Sequence, residues 1–233
     1  MKLKKIPIPV CMLAVAALGG LLHSLLYMTG LDDKGLLIPG QPAELLLWLV
    51  TAGAVALAVL YSRSSPMPQH RKLHAVACWL LAVCILADIF LGLMEVRTKL
   101  GWIAQIAGIL ACVGLIWAGA CQFTGKPVCF LAHGAVCVYF ALRLVGSYHG
   151  WSGTPRILDY IFSLFSLVFL SLFTYYRTAA DVGMGKPRMR RLCAMLALYC
   201  TFVGSPMSIA PGSLAAALWV FTDPQESEKG CTP

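Results

Sequence analysis

Seven apolar runs separated by short polar loops set the limits on what this chain can become. They cover 6–29, 42–61, 73–94, 102–121, 127–147, 156–176 and 192–209. Each is close to the roughly 20 residues that a helix needs to cross a bilayer. No loop between them is long enough to hold a soluble domain. Only 12% of the residues are charged, against about 25% in a soluble domain, and 59% are hydrophobic with a mean hydropathy of +0.79. Too little polar surface remains to coat a globule in water. The expectation is an all-α fold: a polytopic transmembrane helix bundle of seven spans, one integral membrane domain over 1–233, with the lipid bilayer around it.

Lys and Arg give the orientation. With the N-terminus in the cytoplasm, the inner segments hold Lys2, Lys4, Lys5, Arg63, Arg71, Lys72, Lys126, Arg177, Lys186, Arg188, Arg190 and Arg191. The outer segments hold Lys34, Arg97, Lys99, Arg156 and Lys229. This bias obeys the positive-inside rule. It puts the C-terminus outside, with Asp223, Glu226 and Glu228 in an outer tail. Minimal loops and small size point to a bacterial plasma membrane. The formal charge of +8 sits in these loops, so it signals topology and no nucleic-acid partner. The opening segment resembles a signal peptide at Ala14-Val15-Ala16, but its apolar run continues to Met28, as an uncleaved span would.

The last run is longer than one span requires. Charge is nearly absent from Leu192 to Thr222, and the stretch is broken by Gly204-Ser205-Pro206 and Pro211-Gly212. Proline breaks a helix ladder. The favoured reading is a kinked seventh helix with a short appended helix over 212–221, the alternatives being an interfacial or re-entrant piece.

An internal repeat is also legible. Pro9-Val10-Cys11-Met12-Leu13-Ala14 matches Pro127-Val128-Cys129-Phe130-Leu131-Ala132 at five of six positions. Gly40-Gln41-Pro42 pairs with Gly153-Thr154-Pro155, and Tyr61-Ser62-Arg63 with Tyr175-Tyr176-Arg177. Arg71-Lys72-Leu73-His74-Ala75 pairs with Arg190-Arg191-Leu192-Cys193-Ala194. Order and spacing are kept throughout, which predicts a 3+1+3 parallel repeat with halves 6–95 and 127–210 and a linker helix 102–121. Parallel repeats are a transporter architecture with sites where the halves meet. The plan is similar in outline to the SWEET and PQ-loop transporters. That similarity is architectural: Pro68-Gln69 and Pro224-Gln225 lie in loops, the orientation is opposite, and no residues carry over.

Polar residues inside the runs are the candidate site. A charge at mid-span costs about 2.5–3.5 kcal/mol on insertion scales. Asp88 and Arg143 both fall in the outer half, where pairing would lower the cost of each. Glu95 follows Asp88 by two helical turns, and Tyr139 precedes Arg143 by one. Asp159, Ser163 and Ser166 form a stripe on the sixth run. Gln105 and His23 lie at similar outer depth. Together these residues predict a solute-binding cavity open to the outside. The competing reading is a structural ion pair. His133 is expected to hydrogen-bond a neighbouring backbone, a proton relay being the sharper alternative. His74 is expected at the headgroups. The cysteines lie almost wholly within apolar runs, without a C-x-x-C pair, and read as small apolar filler. Ala16-x-x-x-Gly20-x-x-x-Ser24 and Ala104-x-x-x-Gly108-x-x-x-Cys112 predict close helix approach.

H-E-x-x-H, the Walker loop and G-x-S-x-G are missing from the sequence, so the expectation is no enzyme, no metal and no cofactor. The functional expectation is a transporter of a small solute or ion, or its membrane subunit. The alternative is a non-transporting sensor or assembly partner of another membrane protein, or a homo-oligomer.

Overall fold

The computed structural model describes residues 8–30, 41–63, 71–92, 99–151, 157–204 and 211–223. All the regular structure in them is helical: α1 (Ile8–Thr29), α2 (Pro42–Arg63), α3 (Arg71–Gly92), α4 (Lys99–Thr124), α5 (Phe130–Trp151), α6 (Ile157–Asp181), α7 (Pro187–Val203) and α8 (Pro211–Phe221). Six of these, α1 to α6, are long and apolar enough to cross a membrane. Their lipid-compatible faces carry exposed Leu21, Leu49, Leu91, Val113 and Leu131, as a bilayer-embedded bundle requires and a soluble one would not tolerate. The fold is that of a multi-pass membrane helix bundle.

The seventh run ends earlier than expected, at Val203, and the short appended helix expected over 212–221 forms as α8. α7 is 17 residues long, about 25 Å at 1.5 Å per residue, and carries Arg188, Arg190 and Arg191 in its first turn and a half. α8 is a separate helix of 11 residues that packs on α7 and α3. Its far end is tied back to the start of α7, because Asp223 contacts Arg190 at 3.3 Å. The pair is therefore a hairpin that returns to its own side, and 212–221 is the re-entrant option. Ala215, Ala216, Ala217, Trp219 and Val220 of α8 are buried, which excludes an interfacial helix lying on the surface.

α7 is the hub. It packs on α1, α2, α6 and α8. Nearly every residue from Cys193 to Val203 is buried, the pattern of a helix enclosed on all sides. The remaining contacts run α3 to α4, α4 to α5, α5 to α6, α6 to α7, α7 to α8 and α8 back to α3, closing a ring. α1 and α2 flank that ring through α7. This packing does not repeat between the proposed halves. α6 lies along α7, while α2, its would-be counterpart, packs on α7 rather than along α3.

Small residues set the helix spacing. A Cβ on Gly114 of α4 would sit 2.6 Å from the Ala132 carbonyl of α5. On the Gly108–Cys112 face, Gly108 abuts Ile89 of α3, and the Cys112 thiol donates to the Ala82 carbonyl at 3.3 Å. Gly20 of α1 lies against the Phe202 carbonyl of α7. Both small-residue stripes thus serve close approach. α4 ends at Gly125 and α6 at Gly183, with φ of 73° and 83°. This left-handed conformation lets Lys126 N–H and Met184 N–H turn back to the Cys121 and Ala179 carbonyls at 2.9 Å. Pro187 then opens α7, where its missing N–H costs nothing.

Candidate functional site

Two polar layers lie toward opposite ends of the bundle. The first is the one expected from sequence. Asp88 Oδ2 and Arg143 Nη2 meet at 2.7 Å, bridging α3 and α5 over α4, with Asp88 49% and Arg143 45% exposed. They meet because Gly108 of α4 has no side chain to hold Ile89 and Tyr139 apart. Tyr139 is buried one turn before Arg143. Asp88 and Arg143 are thus brought together, with Tyr139 packed against the same face of α4 at Gly108.

The other expected members do not join it. His23 is buried on α1, and its Nδ1 meets the Val203 carbonyl of α7 at 2.6 Å. Its ring lies edge-on to Phe162 and Tyr27. It ties α1 to the end of the hub and is not part of the Asp88 group. Gln105 is half-buried on α4 and makes no hydrogen bond among the described residues. Ser163 donates to the Gly204 carbonyl at 2.8 Å, and Ser166 to the Ser163 carbonyl at 2.8 Å. The stripe they began is thus occupied in joining α6 to α7. Glu95 and the side chain of Asp159 lie outside the described residues.

The second layer was not expected. At the other end of the ring, Arg177 Nη1 donates to Asp223 Oδ1 at 3.0 Å. Arg190 approaches the other oxygen of the same carboxylate at 3.3 Å. Asp181, one turn after Arg177, lies 3.7 Å from its Nε and accepts from His133 Nδ1 at 2.6 Å. His74 meets the Thr222 hydroxyl at 3.3 Å and stacks on Trp219. α3, α5, α6, α7 and the end of α8 each contribute a side chain, and His74, His133, Arg177, Arg190 and Asp223 are all buried. The two arginines and two aspartates balance, so the layer is neutral with both imidazoles neutral. Burial alone would push the Asp223 carboxyl up. Arg190 and Arg177 outweigh it and hold the group below the ordinary carboxylate range.

Three expectations are corrected here. Asp223 does not lie beyond the end opposite the basic α6–α7 connection, because it is ion-paired at that same end. His133 bonds a carboxylate, not a backbone group. His74 is buried under Trp219 and not at the headgroups. Two signals in the sequence bore on this layer. Arg177 and Asp181 stand four apart at the end of an apolar run, and Asp223 closes the run that holds α8. The missing information was that α8 turns back.

The two layers stand at opposite ends of α8. A Cβ on Gly212, at its start, would sit 3.9 Å from the Cβ of Cys84, one turn before Asp88. Asp223 lies just past its other end. Eleven residues span about 16 Å, so α8 fills only part of the depth between α3 and α7, and Asp88 lies beyond its beginning. Among the described residues no group of His, Cys, Asp and Glu is arranged to hold a metal ion. No family model, curated protein or solved structure matches the chain.

Proposed function

We propose that this protein transports a small solute or ion across a cell membrane, along a path beside α8 that is closed at each end by a charged layer. The observation that carries this reading is the pairing of those layers across a helix too short to span. Half-length helices buried among spanning ones are the usual makers of midplane binding sites in transporters. Ionisable residues kept inside a bundle mark pathways more often than scaffolds. Asp88, Arg143 and Tyr139 form the half-exposed layer, and Arg177, Arg190, Asp181 and Asp223 the buried one. Opening either layer while the other holds gives alternating access. Each opening is affordable because both members of an ion pair can exchange partners with solute or water. No bond is made or broken in such a cycle, so the protein is not an enzyme in this account. On the positive-inside rule, the buried layer and the N-terminus face the cytoplasm in this reading.

The test is a melting screen of the full chain in nanodiscs against amino acids, sugars, carboxylates, nucleosides and simple ions. A ligand that binds only the folded state raises its melting temperature. One solute class should stabilise the protein, and the effect should vanish in Asp88→Asn. If every solute leaves the melt unchanged, the two layers are scaffolding. The second reading, an assembly partner of another membrane protein, draws on α2. This helix is held by α1 and α7 and presents Gly53 with open space around it. Co-purification of a stoichiometric second membrane protein, lost in Gly53→Leu, would favour it.

A further inference from the structure

Three buried imidazoles lie inside the bundle: His23, His74 and His133. Opposite Nδ1, His23 has a backbone carbonyl and His74 a hydroxyl. Both partners are neutral. His133 alone among them has a carboxylate there, Asp181 Oδ2 at 2.6 Å. An ionised carboxylate only accepts, so the ring must donate from Nδ1, and the lone pair of the neutral imidazole then resides on Nε2. That atom is buried and has no hydrogen-bond partner among the described residues. A buried nitrogen lone pair with a counter-ion on the far side of its ring is a built acceptor. The ligand that fits it is a proton.

We infer that His133 is a proton-binding site, with Asp181 as the counter-ion of its imidazolium, and that protons couple to the transport proposed above. The second clause rests on that proposal; the first does not. The step balances simply. The Nε2 lone pair takes a proton from hydronium, leaving water, and returns it to water when the layer opens to the other side. The groups facing His133 are Asp181 and Arg177 of α6, Asp223 beyond α8 and His74 of α3. Arg190 of α7 acts on it through Asp223. Asp181 is shared, since it also lies 3.7 Å from Arg177 Nε. A positive His133 draws Asp181 to itself and away from Arg177. Proton occupancy thereby loosens one of the contacts that close the layer.

The experiment is nitrogen NMR of the full chain, histidine-labelled and in nanodiscs, between pH 8 and pH 4. His133 is assigned by the signal lost in His133→Asn. We expect it to start as the Nδ1–H tautomer and become imidazolium as pH falls. Asp181→Asn should move that midpoint down by about one pH unit or more, and Asp181→Glu should restore it. A melting curve on each variant establishes that it is folded. A His133 signal that stays neutral throughout overturns the site, as does one that titrates alike in Asp181→Asn. Transport is read separately in proteoliposomes, using any solute that stabilises the protein in the melting screen. Uptake should rise with an inward proton gradient, and that dependence should be lost in His133→Asn. Gradient-independent uptake overturns the coupling. Titration of His133 with no uptake of any solute keeps the proton site and overturns the transport reading.

Discussion

The energetic weight of a charge in this bundle follows its burial. Asp223 is the clearest case. Removing its carboxylate leaves Arg177 and Arg190 buried with a shared partner gone, and breaking buried pairs in this way costs about 3–5 kcal/mol. Asp223→Asn should therefore lower unfolding stability in detergent by about that amount. Asp88→Asn, at a pair half open to its surroundings, should cost about 1 kcal/mol or less. Equal losses in the two variants would contradict this ranking. The pH dependence has a fixed sign. Asp223 is depressed below its ordinary value of 3.8, so its stabilisation is complete above that value and declines only as pH falls through the lower folded one. Titrating the wild type from pH 7 to pH 5 should leave this contribution intact, and the acid limb below pH 4 should be shallower in Asp223→Asn. The Asp88–Arg143 pair was legible in the sequence because both charges interrupt apolar runs at similar depth, where each gains from a partner. The buried layer was not. Its members stand at the ends of apolar runs or beyond them, where a charge is cheap in lipid and calls for no partner.

At the scale of elements, the sequence spoke clearly wherever apolar length alone decided the outcome. The first six helices fall where the runs predicted, within a few residues. The seventh helix is displaced from its run, and the short eighth lies where it was expected, but apolar length alone cannot give its direction. Pro206 and Pro211 said that the ladder breaks, and the direction of the chain after the break depends on tertiary contacts with α3. The glycines of α4 and α2 separate packing from mere composition. Gly114→Ala forces a Cβ to within 2.6 Å of the Ala132 carbonyl, and backbone cannot retreat as a side chain can. A loss of about 1–3 kcal/mol is expected. Gly53→Ala meets nothing within 4 Å and should gain about 0.5–1 kcal/mol from its lower chain entropy. Parallel unfolding curves of the two variants check both signs at once.

For the whole molecule, the return of α8 is what makes a site out of scattered charges. It carries Asp223 back to the arginines at the end of α6 and the start of α7, closes the ring of helices from α3 to α8, and leaves Asp88 beyond its beginning. Without that return Arg177 and Arg190 would lose the carboxylate they share. The apparent duplication pointed to a site between matching halves; the proposed path lies beside one unmatched hairpin. The most direct measurement is a cross-link in an otherwise cysteine-free chain carrying His74→Cys and Thr222→Cys, positions whose side chains meet at 3.3 Å. Oxidation in native membranes should join them rapidly, while Asp88→Cys paired with Thr222→Cys should stay unjoined. A cross-link from 222 to 88 but not to 74 would mean that the chain runs on to the other side, and the two-layer account would fail.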